Sequence, residues 1–403
     1  MMSRFFVFCA LLLAGGFHSS AQVRILFDCT KAQTAGNADW VIDADVHDVY
    51  WHPSALVGQG HGSDPQILPT PAQSSVTSTT AETYWEGSLS SWGIDCVNYG
   101  YEVETLPVTG QITYGNSSNA QDLSNYKVYV MDEPNIKFTT AEKTAILQFV
   151  ENGGGLFMIS DHNISDRNND GWDSPSIWND FMGTVSPKNP FGIRFNLEEF
   201  TQTSSNVASL PYDSVLHGPF GAVSKLQFNG ATSMTLSPDS NSTVTGVIFL
   251  TGTSTSADTG VMFAHSRFGK GKVAAISDSS PFDDGTGNPQ TTLYSSYATS
   301  VSGNHRKLIM NATIWLAAMD SSGVSGIIDV LQDNSFEIYK TSSTSLRIVN
   351  QKSDNQLLEI YDVLGNRVAG KQIADVVDYL DITRLSSGIY FARIGNTTKK
   401  FFR

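Results

Sequence analysis

Four times in this chain a mostly apolar run ends on an acid: "VRILFD", "VYVMDE", "LFMISDH" and "VAAISD". An apolar run without polar alternation belongs to a strand buried on both faces, and such strands make a parallel sheet sandwiched between helices. Helix-like segments do alternate with these runs. "FTTAEKTAILQFVENGGG" offers Thr139 and Glu142 as a capping box, sets Ala145, Ile146, Phe149 and Val150 on one face, and stops at its glycines. "YWEGSLSSWGIDCVNYG" predicts a helix closed by Gly100, "YEVETLP" and "TGVIFLTG" predict strands, and "HRKLIMNATIWLAAM" predicts a closing helix. The Gly-rich turn "FGKGK" joins "GVMFAHSR" to "KVAAIS". The predicted fold class is α/β, a doubly wound, mostly parallel sheet over residues 22–320.

In open parallel sheets ligands bind outside the C-terminal strand ends. Asp28, Asp132, Glu133, Asp161, His162 and Asp278 are therefore expected to gather there, although they lie far apart in the chain. A plainer reading stands beside this one, because an Asp after a buried strand also caps the next helix or turn. The formal charge of −14 becomes −15 once Arg4 is lost with a leader. Such a surface repels phosphate backbones, so no nucleic-acid partner is expected, and it suits a hard cation such as calcium.

Residues 1–21 combine one Arg, the short apolar core "FFVFCALLLAGG" and small residues before Gln22, and read as a signal peptide. That run is too short to span a bilayer, and no later run reaches the ~20 apolar residues a membrane helix needs, so no transmembrane segment is expected. Removing the leader leaves Cys29 and Cys96. Export permits a disulfide between them, and two buried thiols are the equal alternative.

After a linker over 321–330, the chain from 331 to 403 reads as short alternating strands: "LRIVN", "LLEIYDVLGNRV", "YLDITRL", "GIYFARIG" and "KKFFR". A small β-sandwich is predicted there. "IYDVLGNRV", then Leu385 to Tyr390 spaced as L-x-x-G-I-Y, then the terminal "KKFFR", resemble the C-terminal sorting domain of the type IX (Por) secretion system. The resemblance implies export through the periplasm and outer membrane to the cell surface or medium, with the type IX secretion machinery as a partner. "YKVYVMDEPN", the capped helix, "NGGG" and "LFMIS" resemble the class I glutamine-amidotransferase-like superfamily. That resemblance implies a flavodoxin-like sandwich with its site after "LFMIS". Where the amidotransferases carry a Gly-x-Cys-x-Gly elbow, this chain has Ser160, Asp161 and His162, so glutamine hydrolysis is not implied.

The stretch "DRNNDGWD" puts oxygens at Asp166, Asn168 and Asp170 with Gly171 in sixth place, the first half of a calcium-loop pattern. Ile177 stands where the bidentate acid belongs, leaving Asp173 to substitute, with Asp28 as a further candidate ligand. A catalytic patch and a hydrated Asn/Asp turn are the alternatives. Asp161 and His162 form the more chemical pair, His162 as base or ligand and Asp161 orienting it. Asp43, Asp45, His47, His52, His217 and His265 are further ligand candidates. Ser279 and Ser280 lack a nucleophile elbow, and Asp283 and Asp284 read as ligands or loop caps. Trp40, Trp51, Trp85, Trp172 and Trp178 read as core or as sugar-stacking surfaces.

These features point to a secreted, cation-dependent hydrolase acting on an extracellular polymer, polysaccharide or fragment. Its catalytic residues would be His162, Asp161, Asp132, Glu133 and Asp278, beside a calcium loop. The alternative is a non-catalytic, glycan-binding surface protein with a structural calcium site.

Overall fold

The computed structural model describes residues 22–34, 40–42, 73, 76–77, 80, 85, 87–285, 297–298, 300–318, 336–342, 345–350, 356–363, 365–375, 377–386, 388–395 and 397–403. The signal-peptide and linker readings lie outside these residues, as do Asp43, Asp45, His47, Trp51 and His52.

In chain order the first unit runs β1 (Arg24–Asp28), α1 (Ser90–Tyr99), β2 (Glu102–Leu106), β3 (Val128–Met131), α2 (Thr140–Glu151), β4 (Gly155–Ile159) and α3 (Ser174–Thr184). It continues through β5 (Ile193–Phe195), β6 (Phe200–Ser204), β7 (Leu226–Ala231), β8 (Met234–Leu236), β9 (Thr245–Phe249), β10 (Val261–Phe268), β11 (Gly271–Ile276) and α4 (His305–Ala317). One large sheet takes the order β2-β1-β3-β4-β11-β10-β8-β5, with β9 on β10. Its first five strands are mutually parallel and the remainder antiparallel, so the protein is α/β with a large, mostly parallel sheet. Every residue of β3, β4 and β11 is buried, as unalternating apolar runs require. Register then fixes the strand ends: Met131 pairs with Met158, and Ile159 with Ile276, so the residues following β3, β4 and β11 emerge side by side.

The predicted helix signals operate as physical devices. Thr139 and Glu142 form the capping box at the start of α2, and Gly100 closes α1 in the left-handed region at φ 101°. Gly271 begins β11 directly under the end of α2, where a Cβ would lie 2.0 Å from the Val150 carbonyl oxygen. Trp92 of α1 meets the sheet below the strand ends, its ring 4.9 Å from Phe27, 5.4 Å from Phe157 and 5.0 Å from Phe282.

Helix α3 was not anticipated, because the Asn/Asp-rich patch masked its start. Asp173 is its N-cap, accepting the Ser176 N–H at 2.9 Å, Pro175 lies in its first turn, and Ile177, Trp178 and Phe181 are buried. Trp40, Trp85 and Trp178 belong to the core, and partly buried Trp172 carries the Lys137 ammonium 3.7 Å above its ring. Cys29 and Cys96 are both buried and no disulfide joins them, which favours the alternative of two buried thiols.

The C-terminal segment comprises β12 (Phe336–Ser342), β13 (Ser345–Asn350), β14 (Gln356–Asp362), β15 (Arg367–Ile373), β16 (Val377–Asp381), β17 (Ile389–Ile394) and β18 (Thr397–Phe402). Two antiparallel sheets, β12-β13-β16 and β15-β14-β17-β18, close over their own core, which includes Leu346, Ile348, Leu358 and Ile360. Among the described residues no helix is long and apolar enough to cross a membrane.

Candidate functional site

Strands β1, β3, β4 and β11 are neighbours, so Asp28, Asp132 and Glu133, Asp161 and His162, and Asp278 and Ser279 stand along one edge of the sheet. Their surroundings separate them. Asp28 accepts hydrogen bonds from the Thr30 N–H at 2.8 Å, Gln33 Nε2 at 2.9 Å and the Tyr129 hydroxyl at 2.6 Å. Burial raises its carboxyl, and the Tyr129 hydroxyl and Lys31 partly offset this. Asp28, expected as a further metal ligand, is thus an internal anchor whose oxygens accept hydrogen bonds from Thr30, Gln33 and Tyr129.

Glu133 is the hub. It is fully buried and holds φ at 33°, an unusual conformation for a residue with a side chain, of the kind costing roughly 1–3 kcal/mol and kept only where surroundings enforce it. Here they do. Oε1 accepts from Arg167 Nε at 2.6 Å and Oε2 from the Ser279 hydroxyl at 3.0 Å. The Glu133 N–H donates to the Ile159 carbonyl at 3.2 Å and its own carbonyl accepts from Asn135 Nδ2 at 2.9 Å. Arg167 also donates through Nη2 to Asp161 Oδ2 at 3.0 Å, while its backbone N–H is held by Asn135 Oδ1 at 2.8 Å. Arg167 and Asn135 escaped the sequence reading. One signal was there, a single cation embedded in an acidic loop directly after Asp161 and His162.

Asp132 is the exception in this set. It is 1% exposed, and among the described residues neither carboxyl oxygen has a hydrogen-bond partner of normal geometry. Burial, then the charges of Glu133 and Asp278, push its carboxyl well above the ordinary range. Asp278 accepts the N–H groups of Ser280 at 2.8 Å and Asn229 at 2.7 Å, and burial nevertheless pushes its carboxyl up to about 7. Burial and then Glu133 push Asp161 up as well, against the pull of Arg167.

His162 marks the accessible edge, its side chain 17% exposed. Nδ1 meets the Asn163 carbonyl oxygen, which assigns the proton to Nδ1 and leaves Nε2 as the basic nitrogen, 3.6 Å from Asp161 Oδ2. The backbone thus orients the ring, where Asp161 was expected to do so. Gly230 makes room for it, since a Cβ there would lie 3.1 Å from His162 Cδ2.

The loop from Asp166 to Asp173 turns its oxygens onto its own chain. Asp166 accepts the Asp170 and Gly171 N–H groups at 3.0 and 2.7 Å, Asp170 accepts the Trp172 N–H at 2.9 Å and Asn168 Nδ2 at 3.1 Å, and Asp173 caps α3. The wrapped-cation arrangement expected of Asp166, Asn168, Asp170 and Asp173 is not the one these side chains adopt. Among the described residues no three His, Cys, Asp or Glu form a group able to hold a metal ion. Ser280 bonds the Asn229 carbonyl at 2.8 Å, Asp283 accepts the Gly285 N–H at 2.8 Å, and Asp284 accepts the Ser91 N–H at 2.7 Å, all turn or cap roles. His265 pairs with Asp213 at 2.7 Å and lies tilted at 45° against the Trp315 ring, and neither His265 nor His217 joins the strand-end acids.

Residues 337–403 match the secretion system C-terminal sorting domain. No curated protein matches the chain. Among solved structures, the mmIFT52 N-terminal domain is similar at 13% identity and a TM-score of 0.40, covering 61% of this chain and 96% of that one. A cytoplasmic protein from Salmonella typhimurium is similar at 16% identity and 0.34, covering 58% and 88%. An immunoglobulin-like β-sandwich protein from Bacteroides vulgatus is similar at 19% identity and 0.16, covering 17% and 84%. Nothing about function follows from likenesses this distant, and none of them supports the amidotransferase-like resemblance. The sorting domain does carry a conclusion: the chain is exported by type IX secretion to the cell surface or extracellular space.

Proposed function

We propose, on the premise that residues 337–403 send this chain to the surface or medium, that its α/β unit is a hydrolase of an extracellular polymer, a polysaccharide or its fragments. The observation that carries the reading is His162, held through Nδ1 by the Asn163 carbonyl with Nε2 left basic beside Asp161. An imidazole with one free nitrogen can take a proton from water or a substrate hydroxyl and return it to a leaving group. Arg167, 18% exposed at its side chain, offers a fixed positive charge next to it. The location supports the reading too, since ligands bind outside the C-terminal ends of parallel strands, and the order β2-β1-β3-β4-β11 suits a flavodoxin-like sheet. Calcium at the Asp166 to Asp173 loop is no part of this reading, because those carboxylates are already turned onto backbone amides. The glycan-binding alternative is weakened by Trp40, Trp85 and Trp178, which are core residues.

The test is a screen of the purified, exported chain against soluble polysaccharides and chromogenic glycosides and esters, repeated with His162→Ala. Turnover reduced about 100-fold or more at an unchanged melting temperature is expected. Equal turnover in the variant, or none by the parent on any substrate, overturns the reading.

A further inference from the structure

The hydrogen bonds of the crevice also decide which of its acids carries a proton. Donated hydrogen bonds favour a carboxylate, whereas burial without donors and beside like charge favours the neutral acid. Counting donors separates the four acids. Glu133 receives Arg167 Nε and the Ser279 hydroxyl, Asp161 receives Arg167 Nη2, and Asp278 receives two backbone N–H groups. Among the described residues Asp132 receives no well-formed hydrogen bond on either oxygen; the Glu133 backbone N–H pulls its carboxyl down only weakly, being committed to the Ile159 carbonyl at 3.2 Å, and Asp132 is buried beside the charges of Glu133 and Asp278.

We infer that Asp132 is the proton-holding carboxyl of this crevice, and that Arg167 is the positioning residue that assigns it this role by occupying Glu133 and Asp161. The groups facing Asp132 are Glu133 from its own strand end and Asp278 from the end of β11, both acidic, with Arg167 and Asp161 one contact further on. No cation stands against Asp132 among these. The upward push on its carboxyl from burial agrees with the donor count. The arrangement places an acid at the end of β3, in the same row of strand ends whose accessible edge carries His162. A residue that costs stability and survives at a strand-end crevice is of the kind function retains.

The inference rests on the hydrolase reading only for the use to which the proton is put. Its test needs no substrate, so the failure of one leaves the other standing. The full chain is labelled with ¹³C at aspartate carboxyls and titrated by NMR between about pH 4 and about pH 9. One aspartate signal is expected to titrate above all the others, that of Asp278 included, and to be missing from Asp132→Asn, or from Asp132→Glu if the amide variant does not fold. Arg167→Met is expected to move the Asp132 titration downward, as Glu133 and Asp161 compete for its proton, and Arg167→Lys to restore part of the shift. A purely structural Arg167 would leave the Asp132 titration where it was. The inference is overturned if every aspartate in the parent ionises below about pH 6, if the protonated signal survives replacement of Asp132, or if Arg167→Met leaves its titration unmoved.

Discussion

Asp28 and Asp132 end adjacent strands and look alike in sequence, yet one is surrounded by donors and the other by none. Their replacements should therefore act in opposite directions. Asp132→Asn replaces a buried carboxyl that must take up a proton on folding with an amide that can donate to its acidic neighbours, so it is expected to stabilise the fold by about 1–3 kcal/mol at neutral pH. The sign with pH follows from linkage. Below the unfolded value near ~3.9 both states hold the proton and Asp132 adds no pH-dependent cost; above it the unfolded state releases its proton first, and the folded state loses relative stability as pH rises toward the raised folded value. The advantage of Asp132→Asn should thus grow between about pH 4 and about pH 8 in chemical denaturation, and an advantage independent of pH would contradict the account. Tyr129→Phe, by contrast, takes a donor from buried Asp28 and should cost about 1–3 kcal/mol in the same measurement.

Elements that announced themselves locally were read correctly because their signals lie within a few residues of each other. The box of Thr139 and Glu142 and the stop at Gly100 need no tertiary partner. Thr139→Ala should destabilise by about 1 kcal/mol, measurable as a shift in the urea midpoint. Helix α3 also carried local signals in Asp173 and Pro175, but Asn and Asp serve turns, caps and calcium loops alike, and only the direction of the side chains distinguishes these uses. Gly271 makes a different point. It sits in a strand where the turn chemistry of "FGKGK" already explains a glycine, yet the end of α2 is what excludes a side chain. Gly271→Ala is expected to cost about 1–3 kcal/mol or more in thermal melts, because its methyl meets a carbonyl oxygen that belongs to a packed helix end. A neutral result would mean that α2 and β11 are less closely apposed.

For the whole molecule, the two hydrophobic cores are separate clusters, one under the large sheet and one between the C-terminal sheets. Deleting residues 337–403 is accordingly expected to abolish export while leaving the large unit's melting transition in place, which fractionation and calorimetry of the retained protein would show. Loss of the transition on deletion would mean that the cores depend on each other. The sequence by itself determined the class of sheet, its capped helices, the sorting tail and the edge at which Asp132, Asp161, His162 and Asp278 emerge. These follow from periodicity, local caps and a run of motifs, all of which are short-range patterns. Tertiary structure alone decided what each acid does there. Arg167 must cross from its loop to Glu133 at the end of another strand, Tyr129 must reach Asp28, and Asp132 must be left without a donor. Protonation and hydrogen bonding depend on neighbours a few ångströms away in space, and that distance has no counterpart along the chain.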